Sequence, residues 1–400
     1  MAGISVGLFE PKFTLAVLQL SSLCNLNCTY CYVPDRKNNA TMSREHLSRI
    51  FSLTVGAENF RGHSFDFLFH AGEPTTLGLQ TLRDVADQCI AAALPGIDYR
   101  FSIQTNGVLL NQEWGNFFRD YGFAVGVSVD GPSALNAARV DWAGRDTLKK
   151  SLRGIEALQK AGVKDIGCLA TIGIQALREP DALMQFFIGL DVAALGFNLE
   201  DVENDNKITS FGASRSERTA WYRRELVEPF FHTIFDHWWP RRDKLRVREF
   251  ADILRASALR RVVPNYVRSP DCAREVGIIT FMRDGSITTF APEFAGAKAP
   301  EYDDFVVGHI DHLDSLAAIK ENMNYQRINK DIMRGIKACE ETCAYFPICG
   351  SSFVSNRWFE YRDFSRPDTF TCEMMRKAAA DVCFSRIKAM QSHQPPTVAA

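Results

Sequence analysis

The stretch FTLAVLQLSSLCNLNCTYCYVPD, residues 13–35, runs an apolar segment straight into three cysteines, Cys24, Cys28 and Cys31, spaced within eight residues. The segment FTLAVLQL has the length and continuous apolar character of a buried strand, and the cysteines fall in the loop that leaves it. Three thiols in so short a loop cannot all pair as disulfides, and a structural zinc site needs a fourth ligand close by. An iron–sulfur cluster held by three thiolates leaves one iron open to another ligand.

Working outward, the strand-then-loop pattern repeats. Further strands are predicted at FDFLFH (65–70), YRFSIQTN (99–106), FAVGVSVD (123–130), DIGCLATIG (165–173) and AALGFNLE (193–200). Between them lie segments with helical spacing, such as REHLSRIFSLTV (44–55) and DTLKKSLRGIEALQKAG (146–162). Strands alternating with helices predict right-handed βαβ units on a parallel sheet. Six units suit an open, partial barrel better than a closed eight-fold one. In such a fold the loops after the strands gather at one face, where chemistry is done. Every polar motif of this half falls there: CNLNCTYC after strand one, HAGEP after two, QTNG after three, SVDGP after four and NLEDVEND after six.

Bulk properties narrow the classes. A net charge of −2 gives no reason to expect nucleic acid or an anionic membrane as partner. No apolar run approaches a membrane span, and MAGISVGLFEPKF lacks the basic start and long apolar core of a secretion signal. The expectation is a cytoplasmic protein, in which 11 cysteines mean metal ligands and buried thiols rather than disulfides. Four more cysteines crowd the rear: Cys339, Cys343, Cys349 and Cys372. Cys89, Cys168 and Cys383 fall on apolar faces and read as buried thiols. After Trp239 the texture changes: RRDKLRVREFADILRASALRR (241–261) reads as an exposed helix leading out of the barrel. VGIITFMRDGSITTF (276–290) reads as a hairpin turning at Asp284-Gly285, and a last helix is predicted from Thr371 to Met390. The expected division is 13–257 for the barrel, 258–390 for a smaller cysteine-rich domain, and 391–400 for a disordered tail.

The C-x3-C-x2-C pattern, with Tyr30 before its last cysteine, resembles the radical S-adenosylmethionine (SAM) superfamily. The resemblance implies a partial (β/α)6 TIM-like barrel, with Cys24, Cys28 and Cys31 holding a [4Fe–4S] cluster whose fourth iron binds SAM. HAGEPTT resembles the family's Gly-Gly-Glu-Pro motif, carried here by Ala71, Gly72, Glu73 and Pro74, with Ala71 in place of the first glycine. Glu73 would bind the SAM ammonium, a charge-assisted contact. SIQTNG resembles the ribose-contacting segment, through Gln104 or Asn106. Ser128 and Arg139 would hold the SAM carboxylate, at a spacing one residue shorter than usual, with Tyr30 and Asp130 among the same contacts. Taken singly, DGP and TNG are ordinary turn signals. Their weight comes from following consecutive strands.

The rear cysteines resemble part of a SPASM domain, whose full form carries two auxiliary clusters. Phe290 and Phe353 stand where two ligands of the cluster nearer SAM belong, whereas Cys339, Cys343, Cys349 and Cys372 complete the outer set. The implication is one auxiliary [4Fe–4S] cluster, with Cys272 left over. The same four thiols suit zinc equally well, and a second cluster using Cys272 with other ligands is the remaining alternative.

From residue 13 to 385 the chain is similar to cyclophane-forming maturases of ribosomally made peptides, on LQLSSLCNLNCTYCYVPDR, FHAGEPTTL, GFNLEDVE and CAYFPICGSSFVSNRWFEYRDF. The stretches GSSF and NRWFEYRDF depart from the usual pattern. The resemblance implies a precursor peptide as substrate and an electron donor such as a flavodoxin or ferredoxin. A 5′-deoxyadenosyl radical would take hydrogen from a side-chain carbon, expected to be Cβ. The carbon radical would join an aromatic ring, which then loses a proton and an electron. Glu200, Asp201, Glu203 and Glu293 are the candidate catalytic bases; a solvated acidic loop is the plain alternative. Rivals are thioether formation, residue oxidation as in sulfatase maturation, radical chemistry on a small molecule, and simple electron carriage. The basic run from Arg241 to Arg268 could hold an acidic leader or simply be an exposed face. With 23 residues before Cys24, no separate leader-binding domain is expected in front.

Overall fold

In the computed structural model of the chain, residues 13–212 and 219–392 are described. The six expected strands form: β1 Phe13–Leu18, β2 Ser64–Phe69, β3 Asp98–Thr105, β4 Ala124–Ser128, β5 Ile166–Ile172 and β6 Ala194–Leu199. They pair in parallel and in sequence order, each joined to the next through at least one helix or turn on the outside. Register aligns their exits. Leu18 lies opposite Phe69, Phe69 opposite Ile103, Thr105 opposite Val127, Ser128 opposite Leu169 and Ile172 opposite Leu199. The residues that follow therefore emerge along one rim, which is where the polar motifs sit.

The strands are held by burial. Ala16, Val17, Phe67, Phe69, Val127, Ala170 and Ile172 are all fully inaccessible. Phe69, Phe101, Phe117 and Phe123 pack in edge-on, tilted and stacked pairs between the sheet and the helix Gln112–Asp120. Each such ring contributes about 2–3 kcal/mol of transfer free energy when buried.

Four more strands extend the sheet beyond the sixfold expectation: β7 Arg246–Val247, β8 Ile278–Phe281, β9 Ser286–Thr289 and β10 Gly308–His309. The spatial order is β10-β9-β8-β1-β2-β3-β4-β5-β6-β7. The β8–β9 hairpin turns as expected, with Gly285 at φ +90°. It does not stand apart, because β8 pairs in parallel with β1 and continues the barrel sheet. The C-terminal region thus forms one wall of the rim beside the cysteine loop.

The run 241–261 departs from its reading as an exposed helix. It contains β7, and the helix Arg248–Val262 that follows buries Phe250, Ile253, Ala256 and Leu259 along one face. Its Glu249, also buried, accepts a hydrogen bond from the backbone N–H of Phe197 in β6 (3.1 Å). The apolar positions recur every three residues, and surrounding arginines masked that period; Arg246 and Arg268 both pair with Asp252. Residue 257, where the sequence reading divides the chain, lies inside this helix. The last helical stretch opens with a π-type turn at Cys372–Lys377 and continues from Ala378 to Ser392. The tail expected to be disordered lies outside the described residues from 393 onward. Among the described residues no helix is long and apolar enough to cross a membrane.

Candidate active site and auxiliary metal centre

The loop after β1 is clamped in place before any metal is considered. Asn27 N–H donates to the Val140 carbonyl (2.7 Å) and Thr29 N–H to that of Ala138 (3.0 Å). The Trp142 indole donates to the Cys24 carbonyl (2.9 Å). From the other side Glu73 N–H donates to the Leu23 carbonyl (2.7 Å). Gly72 makes that approach feasible: at φ +67° a Cβ would sit 2.6 Å from the Leu23 carbonyl oxygen. Ala71 shares the left-handed conformation, φ +70°, where glycine is the favoured residue.

These loops enclose a cavity of about 360 Å³. Its wall includes all three thiols and, of the expected contacts, Tyr30, Ala71, Gly72, Glu73, Gln104, Asn106, Ser128 and Arg139. Two of the expected contacts are not on the wall. Pro74 is buried in the turn after Glu73, and Asp130 is buried behind Tyr30. Asp130 acts on its neighbours instead. It accepts from the Tyr30 hydroxyl (2.5 Å) and the Thr171 N–H (2.9 Å), while Arg139 donates to the Tyr30 oxygen (2.6 Å) and lies 3.8 Å from Asp130. Tyr30 is thus held between a cation and an anion.

Glu73 is oriented by four donors. Its Oε1 accepts from Thr75 N–H (3.1 Å), Thr75 Oγ1 (2.6 Å) and Thr105 Oγ1 (2.7 Å), and its Oε2 from Asn106 N–H (2.6 Å). Burial pushes its carboxyl above the ordinary range, and these bonds oppose the shift. Gln104 donates to Ser128 Oγ (2.7 Å), and Asn106 to Asn25 Oδ1 (2.7 Å). Burial pushes the Cys24 thiol up to about 12 and raises Cys28, on which Arg139 acts in the lowering direction. Thiols so reluctant to ionise alone are stabilised as thiolates by a bound metal. The three-thiol loop, the free buried Nε of Arg139 and the polar wall fit a cluster carrying a zwitterionic ligand.

All four candidate bases, Glu200, Asp201, Glu203 and Glu293, also line this cavity. They are not equivalent. Glu200 accepts from Ser210 N–H (2.9 Å) and Oγ (2.5 Å). Asp201 accepts from Asn356 (2.6 Å) and from the Thr371 hydroxyl, and Glu203 from Asn356 (3.2 Å). Glu293 enters with Pro292 from the turn after β9, and burial raises its carboxyl. Two residues outside the expected set, Tyr32 and His70, line the same cavity. Tyr32 has its hydroxyl raised well above its ordinary range, chiefly by burial and next by the negative charge of Glu293. It bonds His70 Nε2 (3.2 Å), whose imidazole burial pulls down to about 4 and keeps neutral near pH 7. Their signal was adjacency: Tyr32 follows the last cysteine, and His70 precedes Ala71.

The rear thiols also converge. Cys339, Cys343, Cys349 and Cys372 line one small cavity with Arg357, Arg376 and Lys377. Arg357 donates to Cys339 Sγ (3.0 Å) and to the Ser351 hydroxyl, leaving its Nη1 buried without a partner. The Nε of Arg376 is likewise buried and unpartnered. Four thiolates on a [4Fe–4S] core carry net negative charge, which this cationic surround matches. Phe290 and Phe353 both adopt left-handed backbone, φ +70° and +63°. Phe290 stacks on Tyr325, whereas Phe353 lies under the Arg376 guanidinium and lines the rear cavity itself. Cys272 lies beside the backbone of Phe353 and Val354, and burial raises its thiol. Cys89, Cys168 and Cys383 are buried, as expected.

Comparison with known proteins agrees with this architecture. Residues 18–186 match the radical SAM superfamily. The chain is 30% identical over 386 residues to the uncharacterized protein sll1766 of Synechocystis, covering 95% of this chain and 93% of that one. It is 24% identical to a cysteine-type anaerobic sulfatase-maturating enzyme of Clostridium novyi, over 86% of this chain and 89% of the enzyme. Among solved structures, anSMEcpe with bound AdoMet superposes with a TM-score of 0.72 at 20% identity, covering 94% and 98% of the two chains. SuiB of Streptococcus suis bound to its precursor peptide SuiA gives 0.58 at 16% identity, covering 90% and 76%. These two likenesses speak for the fold. On the match of residues 18–186, the relative that is 30% identical over 95% of the chain and the open three-thiol rim, the chain belongs to the radical SAM superfamily.

Proposed function

We propose that the protein is a peptide maturase that joins a side-chain carbon of a ribosomally made precursor to an aromatic ring, forming a cyclophane. Cys24, Cys28 and Cys31 would hold a [4Fe–4S] cluster, and Cys339, Cys343, Cys349 and Cys372 one auxiliary [4Fe–4S] cluster. A cluster and SAM held at the front would supply one-electron chemistry that generates a 5′-deoxyadenosyl radical, with the electron drawn from a flavodoxin- or ferredoxin-like donor.

The chain's own part is positioning and proton removal. Glu73 would offer a fixed carboxylate to the SAM ammonium, Arg139 and Ser128 would offer donors to its carboxylate, and Gln104 and Asn106 would serve its ribose. Leu68, Leu169 and Leu199 give the same cavity an apolar side that limits water around a reactive species. The observation that carries the proposal is that Glu293, brought in by the C-terminal region, lines the same cavity as the three thiols, and its charge is felt by Tyr32, which bonds His70. Glu293 is the base: it takes the ring proton, so that of the two hydrogens lost one goes to the adenosyl carbon and one to this carboxylate. Asp201 and Asn356 tie the cavity wall to the helix Val354–Tyr361 and to Thr371, next to the rear ligand Cys372, which gives the departing electron a connected path.

A second reading, oxidation of one cysteine or serine residue, is favoured by the sulfatase-maturating relatives. Coexpression with candidate precursor peptides and mass spectrometry separates the two. Both reactions remove two hydrogens, but a bridge suppresses backbone fragments between the joined residues and simple oxidation leaves them intact. In the Glu293→Gln variant, crosslinked product is expected to fall about 10²–10⁴-fold while 5′-deoxyadenosine still forms. Loss of both together would remove Glu293 from the role of base.

A further inference from the structure

We propose a divalent transition-metal site of the zinc class at the β1 side of the sheet, built from His46, His309 and Asp311. His46 lies in the first turn of the helix Arg44–Leu53, His309 ends the edge strand β10, and Asp311 is two residues on. Their ligand atoms all lie within 4.8 Å of one another. His46 Nε2 is 3.3 Å from the Asp311 carboxylate, and His309 Nδ1 is 3.6 Å from it. A tetrahedral zinc with bonds of about 2.0–2.1 Å separates its ligands by roughly 3.4 Å, so two of the three edges are already set.

Protonation argues the same way. His309 Nε2 lies 2.9 Å from the Asp284 carbonyl, which can only accept, so this nitrogen carries the proton. The other nitrogen, Nδ1, is turned toward Asp311 and accepts from its backbone N–H at 3.3 Å. A carbonyl fixing the far nitrogen is the usual support of a metal-ligating histidine. Space is provided as well. A Cβ on Gly285 would come within 2.6 Å of His309 Cε1 and 2.9 Å of His46 Cε1, so the hairpin turn leaves this volume to the two rings. Two imidazoles and one carboxylate suit zinc over magnesium or calcium, which prefer all-oxygen sites.

The site is separate from both cysteine groups and independent of the proposed reaction. It joins the barrel's first helix to the edge strand, beside the bonds from Arg49 to the Ile310 and Leu313 carbonyls (3.0 and 3.1 Å).

The test uses anaerobic, cluster-loaded full-length protein titrated with Zn²⁺ against a chromophoric chelator. Wild type is expected to take one zinc per chain more than His309→Ala at equal iron content. X-ray absorption at the zinc edge should show nitrogen and oxygen ligands with imidazole scattering and no sulfur. Should His309→Ala lose iron, Asp311→Asn carries the comparison, its side chain being 48% exposed. Equal zinc uptake by wild type and variant, or sulfur in the zinc shell, overturns the site.

Discussion

The two cysteine groups differ in ways that reach beyond their count. At the front, three thiols open on a cavity of about 360 Å³, and the nearby buried cation, Arg139, already has a protein counter-charge in Asp130. At the rear, four thiols close around a small space, and Arg357 and Arg376 have no carboxylate partner among the described residues. The front balances its buried cation with a carboxylate and leaves room for a guest. The rear is electrostatically incomplete until its thiols carry negative charge.

That contrast predicts the largest effects. Cys28→Ser should abolish SAM cleavage, leave about four irons of the expected eight, and barely move the unfolding midpoint. Cys343→Ser should also remove about four irons. It should lower the midpoint markedly, because buried guanidinium groups lose their counter-charge, while SAM cleavage uncoupled from product survives. An anaerobic iron assay, a 5′-deoxyadenosine assay and thermal unfolding of the two variants check this. A total near twelve irons in wild type would break the assignment of a single auxiliary cluster.

The arginines sharpen the comparison. Arg139→Met strands Asp130 beside Tyr30 and should cost about 3–5 kcal/mol by chemical denaturation, with or without iron. Arg357→Met in the iron-free protein should have the opposite sign, since it removes a buried charge that the apoprotein does not compensate. If both variants destabilise equally without iron, the rear is not awaiting negative charge.

Much of the front was legible in the sequence because it depends on local order. A parallel strand exits at one rim, so the five polar stretches after successive strands had to meet, and the contacts expected there line one cavity except Pro74 and Asp130. Those two failed for one reason: a motif marks a turn without saying which of its side chains face inward. The fourfold grip on Glu73 and the pairing of Tyr32 with His70 depend on contacts between loops, which spacing alone does not encode. The β8 strand was read as a hairpin arm, but its parallel pairing with β1 joins residues some 260 positions apart, beyond the reach of any local pattern. At the rear, the thiol set was readable from its spacing, whereas the arginines that surround it were hidden in a charge-rich background.

A smaller effect lies in pH. Burial holds the His70 imidazole to about 4, while the unfolded chain binds its proton near 6.5. As pH falls from about 6.5 toward 4 the unfolded state takes up the proton first, so this contribution to stability is present above that window and lost through it. His70→Asn should flatten the pH dependence of unfolding across the window. An unchanged slope would mean that His70 is not held neutral by the fold.

The smallest predicted effect compares two neighbours with nearly the same backbone. Ala71 and Gly72 have φ of +70° and +67°, yet they are constrained differently. At Gly72 the obstacle is the Leu23 carbonyl, so Gly72→Ala must push the cysteine loop away and should lower iron content at the front. At Ala71 the side chain is accommodated and the remaining cost is intrinsic to left-handed backbone, about 1 kcal/mol, partly offset by the extra chain entropy that glycine loses on folding. Ala71→Gly should therefore stabilise by at most about 0.5 kcal/mol, with iron content and SAM cleavage unchanged. A loss of stability on that substitution would show that the Ala71 methyl packs against the cavity wall rather than merely being tolerated there.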